Sequence, residues 1–217
     1  MNGSTNQSAP TALVTGASRG IGAGIAAALA RASYEVVLTG RGRDALEAVA
    51  ARIRDAGGRT RVEPADLSVH DEVLRLVAAA GDVDVLVNNA GAEQRQVPIL
   101  DRQDDYWRRV IDVNLWAPYV LLREIGRGMA ARGRGTIINI TSLAGTVRPV
   151  PGLAHYAATK AALEAITKVA AWSSGRTGSA ASPSPPASWR PSTARPCSPP
   201  GCASACCRAS PWDARGP

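Results

Sequence analysis

Residues 12–14 form a short apolar run that enters Thr15-Gly16-Ala17-Ser18-Arg19-Gly20-Ile21-Gly22, and a small-residue stretch with helical spacing, Gly20–Arg31, follows at once. Few chain geometries use three glycines in seven residues between a strand and a helix. Gly16, Gly20 and Gly22 permit a tight turn, close approach of backbone to a pyrophosphate, and close packing of helix on strand. The helix then aims its first amides and its positive dipole end at the phosphates, with Ser18, Arg19 and Ile21 on the turn beside them. A glycine cluster alone is weak evidence; one that leaves a strand and opens a helix predicts a dinucleotide site.

The rest of the front segment repeats the alternation. Strands are expected at 12–14, Glu35–Thr39, 60–63, 83–87 and 136–140, and helices at Gly20–Arg31, 43–56, 69–80, 104–131 and 156–172. Pro118 either kinks the long fourth helix or starts its second half. Leu163, Ile166 and Ala170 share one face of the last helix. Five strands alternating with helices predict an α/β fold, a Rossmann-like doubly wound parallel sheet in three α/β/α layers. The near-continuous apolar run at 83–87 fits burial on both faces.

Composition divides the 217 residues after Trp172. Residues 173–217 hold all 4 Cys, 10 Ser and 9 Pro but no Leu, Ile, Val, Met, Lys or Glu. They are expected to be disordered, as is the polar segment 1–10, which leaves 11–172 as the folded domain. The tail has five Arg against one Asp, so +4 of the net charge of +7 belongs to it. The +3 left on the front is poor support for nucleic-acid binding. Cys197, Cys202, Cys206 and Cys207 match no paired CxxC template, so no metal site is expected. No apolar run reaches the roughly 18 residues of a membrane span, and the N-terminus lacks the basic start and apolar stretch of a secretory signal. A cytoplasmic protein without membrane contact is expected.

The second strand ends at Thr39-Gly40-Arg41. An NAD site commonly has an acid there for the ribose hydroxyls; here Arg41 and Arg19 offer two guanidiniums for a 2′-phosphate. NADP(H) is therefore favoured over NAD(H).

Tyr156 and Lys160 stand at i and i+4, on one helix face. A phenol holds its proton too tightly for efficient transfer at neutral pH, and a nearby ammonium favours the phenolate. Ser142 follows the fifth strand, at the carboxyl end where such sheets bind ligands, and its hydroxyl can bond a substrate oxygen.

The turn 15–22, Asp66-Leu67, Asn88-Asn89-Ala90-Gly91, Asn114, Ser142 and Tyr156-Ala157-Ala158-Thr159-Lys160 together resemble the classical short-chain dehydrogenase/reductase family, over roughly 12–172. The subgroup they are most similar to contains the 3-oxoacyl-carrier-protein reductases. The resemblance implies NADPH-dependent reduction of a small carbonyl, or the reverse oxidation of a secondary alcohol, with Tyr156 as acid/base and Ser142 on the substrate oxygen. It implies that Tyr156 also contacts the cofactor and Lys160 holds the nicotinamide ribose, that Asn114 holds a water relaying protons from Lys160, and that an intact member is a dimer or tetramer. Asp66, beside Leu67, is expected at the adenine; Asn89 and Gly91 on the adenosine side; Asn88 as a brace; His155 and His70 as surface residues. The competing reading is a dinucleotide-binding scaffold without turnover.

The tail has one more property. Codons made from the third base of each residue and the first two of the next can read Glu-Leu-Gly-Pro-His-Gly-Ile over 172–179, Ala-Val-Ser-Pro-Gly-Val-Val-Glu-Thr over 182–191, and Pro-Leu-Gly-Arg over 210–214. All three resemble segments that follow the Tyr-Lys helix in this family. One G missing after the Trp172 codon would account for them. The expectation is a sheet cut short after its fifth strand and an impaired chain.

Overall fold

The computed structural model describes residues 9–92, 95–101, 104–148 and 150–175. In chain order these are β1 (Thr11–Thr15), α1 (Gly20–Arg31), β2 (Glu35–Thr39), α2 (Arg43–Asp55), β3 (Arg59–Val62), α3 (His70–Ala80) and β4 (Val85–Asn88). Then come α4 (Asp104–Ile111), a π-helical turn (Asp112–Trp116), α5 (Ala117–Arg132), β5 (Thr136–Asn139), α6 (Leu143–Thr146) and α7 (Ala154–Gly175). The strands lie in the order β3-β2-β1-β4-β5, and every pairing is parallel. The chain winds outward from β1 in both directions, which makes the fold a doubly wound, Rossmann-like sheet. Its switch point lies between β1 and β4, where such sheets open a crevice at their carboxyl ends.

Alternation along the strands divides the core between two faces. Leu13 of β1 and Leu86 of β4 pack with Leu76 of α3 and with Leu121 and Ile125 of α5. Val14 and Val87, one residue on, pack with Ala26 of α1 and with Leu46 and Ile53 of α2. Small residues on α1 let it lie close to the sheet, which carries the glycine turn above β1.

Most bounds agree with expectation to within one residue, and the larger differences have physical reasons. The strand expected at 83–87 starts at Val85, because pairing with β1 begins at Ala12↔Val85. Val83 is buried ahead of the ladder, so its hydrophobicity reports core rather than strand. The helix expected at 104–131 is two helices joined by a π turn, and Pro118 is the second residue of α5, where its missing N–H costs nothing. The last helix begins at Ala154 and runs past the expected boundary at Trp172 to Gly175. One-turn α6 has no periodicity to announce it. Residues 1–8 and 176–217, including the four cysteines and nearly all of the segment expected to be disordered, lie outside the described residues. No described helix is long and apolar enough to cross a membrane.

Candidate active site

The turn after β1 opens onto a cavity of about 580 Å³. Gly16, Ser18, Arg19, Gly20, Ile21 and Gly22 line one side, with Arg41, Asp66, Leu67, Asn89 and Gly91 around the remainder. Gly16 has φ +65°, which favours glycine. A Cβ on Gly22 would run into the Gly16 carbonyl and the Asn89 amide, so α1 can pack here only without one. The first turn of α1 carries no acid, and Arg19, at its N-cap position, makes no side-chain cap. Its leading amides and dipole therefore suit an anion. Among the described residues neither Arg19 nor Arg41 is in an ion pair, and both are exposed at the cavity. This donor set fits the phosphates of a dinucleotide.

Asn89 is tied to the turn. Its Nδ2 donates to the carbonyls of Thr15 (2.9 Å) and Gly16 (3.3 Å), and the Thr15 hydroxyl accepts from the Asn89 and Ala90 amides at 3.0 Å each. Asn88 braces the strand ends, donating to Asn139 Oδ1 at 2.8 Å. Asp66 accepts from the amide and hydroxyl of Ser68 through Oδ1, at 2.9 and 2.7 Å, and faces the Arg109 guanidinium through Oδ2 at 3.3 Å. These hydrogen bonds and Arg109 outweigh burial and hold its carboxyl below the usual range.

Beyond the cavity, α6 and α7 carry the other group of residues. Ser142 caps α6, its Oγ accepting from the Ala144 amide at 3.2 Å, which leaves the hydroxyl proton for another acceptor. Gly145 brings α6 onto α7: a Cβ there would lie 2.8 Å from the Ala161 nitrogen and 3.0 Å from the Ala157 carbonyl. Lys160 is 4% exposed, and its Nζ donates to the Ile140 carbonyl at 2.6 Å, at the end of β5. Nζ lies 5.8 Å from the centre of the Tyr156 ring. Burial lowers the lysine from 10.5 to about 8, so it remains mostly cationic at neutral pH.

Asn114 lies in the π turn, fully buried. Its Oδ1 accepts from the Ala92 amide at 2.8 Å and its Nδ2 donates to Thr159 Oγ1 at 3.3 Å. Thr159 in turn donates to the Tyr156 carbonyl at 2.8 Å. Asn114 thus ties the loop after β4 to α7 beside Lys160, and its side chain is already engaged on both ends.

Two features escaped the sequence reading. His155 is not a surface residue. It is 1% exposed, held edge-on by the rings of Tyr106 and Trp107, with Nε2 3.2 Å from the Tyr106 hydroxyl. Burial pushes it toward the neutral form. His70 is exposed, as expected. In addition, Tyr106, Arg109 and Val113 line the cavity from one face of α4 and the π turn. Their i, i+3, i+7 spacing was the available signal, hidden because an arginine on a charged helix reads as solvated surface.

The model of the short chain dehydrogenase family matches residues 10–180. Gluconate 5-dehydrogenase of Gluconobacter oxydans is 39% identical over 171 residues, which is 77% of this chain and 66% of that protein. A 3-oxoacyl-acyl-carrier-protein reductase of Staphylococcus epidermidis is 39% identical over 166 residues, 74% of this chain and 67% of that one. The chain thus spans about two thirds of the length of these curated relatives. A crystal structure of a metagenomic short-chain oxidoreductase in complex with NADP superposes with a TM-score of 0.74 at 43% identity, covering 77% of each chain. With the parallel sheet and the glycine turn in place, the chain belongs to the short-chain dehydrogenase family.

Proposed function

We propose that the chain encodes an NADP(H)-dependent oxidoreductase that reduces a small carbonyl, or oxidises a secondary alcohol in reverse, with Tyr156 as the acid/base. The observation that carries this reading is the buried Lys160 ammonium, fixed on the Ile140 carbonyl 5.8 Å from the Tyr156 ring centre, on the helix that Asn114 ties to Ala92 in the wall of the arginine-lined cavity. A dinucleotide bound in that cavity supplies or takes the hydride. Tyr156 gives the carbonyl oxygen a proton, or removes one from the alcohol, and Ser142 steadies that oxygen with its free hydroxyl proton. Lys160 favours the phenolate and holds the nicotinamide ribose. Asn114 holds the water that relays protons from Lys160; because both ends of its side-chain amide are engaged, the main-chain carbonyl of Asn114 is the acceptor left to hold that water.

Arg19 and Arg41 supply the preference for NADP(H), in keeping with the NADP-bound relative. Arg41→Asp should weaken NADPH binding more than tenfold and leave NADH nearly unchanged, roughly 1.4 kcal/mol of discrimination. Equal losses would sink the preference. Turnover is tested by NADPH consumption with 3-oxoacyl thioesters, keto-gluconates and simple ketones, after the names of the relatives. Binding without turnover on any carbonyl would favour the scaffold reading. Self-association into a dimer or tetramer is proposed on the cluster formed by the exposed His70 and Trp116 rings with half-buried Tyr119, and sedimentation velocity tests it.

The tail is proposed to be the family's continuation read in the wrong frame, its support being the three shifted peptides and the β5 edge, which has no second neighbour among the described strands. Independent reads of TGGGAG across codons 172–173 would support a sequence error, and TGGAG a frameshifted gene. Codons incompatible with the three peptides would end the idea. Restoring the base should turn a marginal or insoluble product with little activity into a soluble, active one. A cooperative, active 217-residue protein would refute the impairment.

A further inference from the structure

The ion pair between Arg109 and Asp66 joins two walls of the cavity. Asp66 comes from the loop after β3 and Arg109 from α4, and both line the space that the dinucleotide reading assigns to adenosine. Its side chains are 43% and 29% exposed, so in the free chain the pair is screened by water and contributes little to stability. A flat ring laid over it would exclude that water and strengthen the same interaction.

The carboxylate has about four lone-pair sites. Ser68 N and Ser68 Oγ take two on Oδ1, and Arg109 takes one on Oδ2. The Asp66 amide is separately held by Glu72 Oε2 at 2.8 Å, which fixes the loop from α3. One acceptor site remains at the cavity, and the exocyclic amino group of adenine is a donor of the right kind.

We propose that Arg109 is a positioning residue for the adenine half of the cofactor: from the opposite wall it holds the Asp66 carboxylate as the acceptor for the adenine amino group. The assignment rests on the dinucleotide reading above. It separates Arg109 from Arg19 and Arg41, which meet the 2′-phosphate, because adenine is common to NADPH and NADH.

The test is equilibrium titration of NADPH and of NADH, by calorimetry, into the unchanged chain and into R109A, R109K, D66N and the R109A/D66N double variant. R109A should weaken both dinucleotides by the same factor, about three- to tenfold, the range for one charge-assisted contact. R109K should return to within twofold of the unchanged chain, since it keeps the charge on Asp66. R109A should add nothing in the D66N background. The assignment falls if R109A binds both within twofold of the unchanged chain, if the loss is confined to NADPH, or if it adds fully to that of D66N. Binding of neither dinucleotide by the unchanged chain overturns the cofactor reading and this assignment with it; normal binding with an inert R109A overturns this assignment alone.

Discussion

β4 and β5 are neighbours, parallel, and similar in sequence, Val-Leu-Val-Asn beside Thr-Ile-Ile-Asn. All four residues of β4 are buried, whereas β5 alternates exposed and half-buried. The register partners Val87 and Ile138 are 0% and 41% exposed. An apolar run makes a strand; what covers it on each side makes it core. Among the described strands β5 pairs with β4 alone. The candidate site straddles this difference. Its cavity arm hangs from β1, β2 and β4, in the middle of the sheet. Its Ser142–Lys160 arm hangs from the end of β5, through the Ile140 carbonyl and through Asn139, whose amide donates to Thr167 of α7 at 2.8 Å.

If the arms are separable, one substitution should silence one and spare the other. Tyr156→Phe removes a hydroxyl from the β5 arm and touches nothing in the cavity. Turnover should fall about 10²–10⁴-fold, the usual loss of a positioned acid. The NADPH dissociation constant should stay within about twofold, a difference of only a few tenths of a kcal/mol. Near-normal turnover would place the acid elsewhere.

A smaller effect follows from Lys160. Its value of about 8, against 10.5 when unfolded, means that the unfolded chain binds more protons between those limits. Stability contributed through this group is therefore lowest below pH 8 and rises as pH climbs from about 8 to 10.5. The shift corresponds to a cost of about 3 kcal/mol at neutral pH. Lys160→Met removes that cost and loses a hydrogen bond from a charged group, about 1.5–3 kcal/mol, so at neutral pH it should leave the fold unchanged or stabilise it by up to about 1–2 kcal/mol while abolishing turnover. Any gain should vanish by pH 10.5 in denaturant melts. A destabilised Met variant at pH 7 would show that the lysine is better compensated than its single hydrogen bond to Ile140 suggests.

Much of this was legible from residues alone, for local reasons. The helix Gly20–Arg31 and the strand Glu35–Thr39 have the bounds that their spacing implies, because periodicity and turn glycines are properties of neighbouring residues. The π turn was not legible: one extra residue between two helices leaves apolar spacing almost unchanged, and the bonds of Asn114 to Ala92 and Thr159 span 22 and 45 residues. His155 escaped for the same reason, since Tyr106 and Trp107 reach it across 49 and 48 positions. Tyr106, Arg109 and Val113 became site residues only when α4 was laid against the cavity.

The smallest expected effect is the most direct test of the strand comparison. Val87→Thr keeps shape and β-propensity but puts a hydroxyl into full burial, where an unmet hydrogen bond costs about 1–3 kcal/mol. Ile138→Thr, at the register partner, meets water and should cost no more than about 0.5 kcal/mol, the usual range for a surface change. Denaturant midpoints at constant slope would read the pair. The same pair also tests the proposed tail. If restoring the base adds a strand beside β5, Ile138 becomes interior, and Ile138→Thr should then cost as much as Val87→Thr. An Ile138 cost that stays small in the longer chain would mean that the added segment does not cover β5, whatever its codons spell.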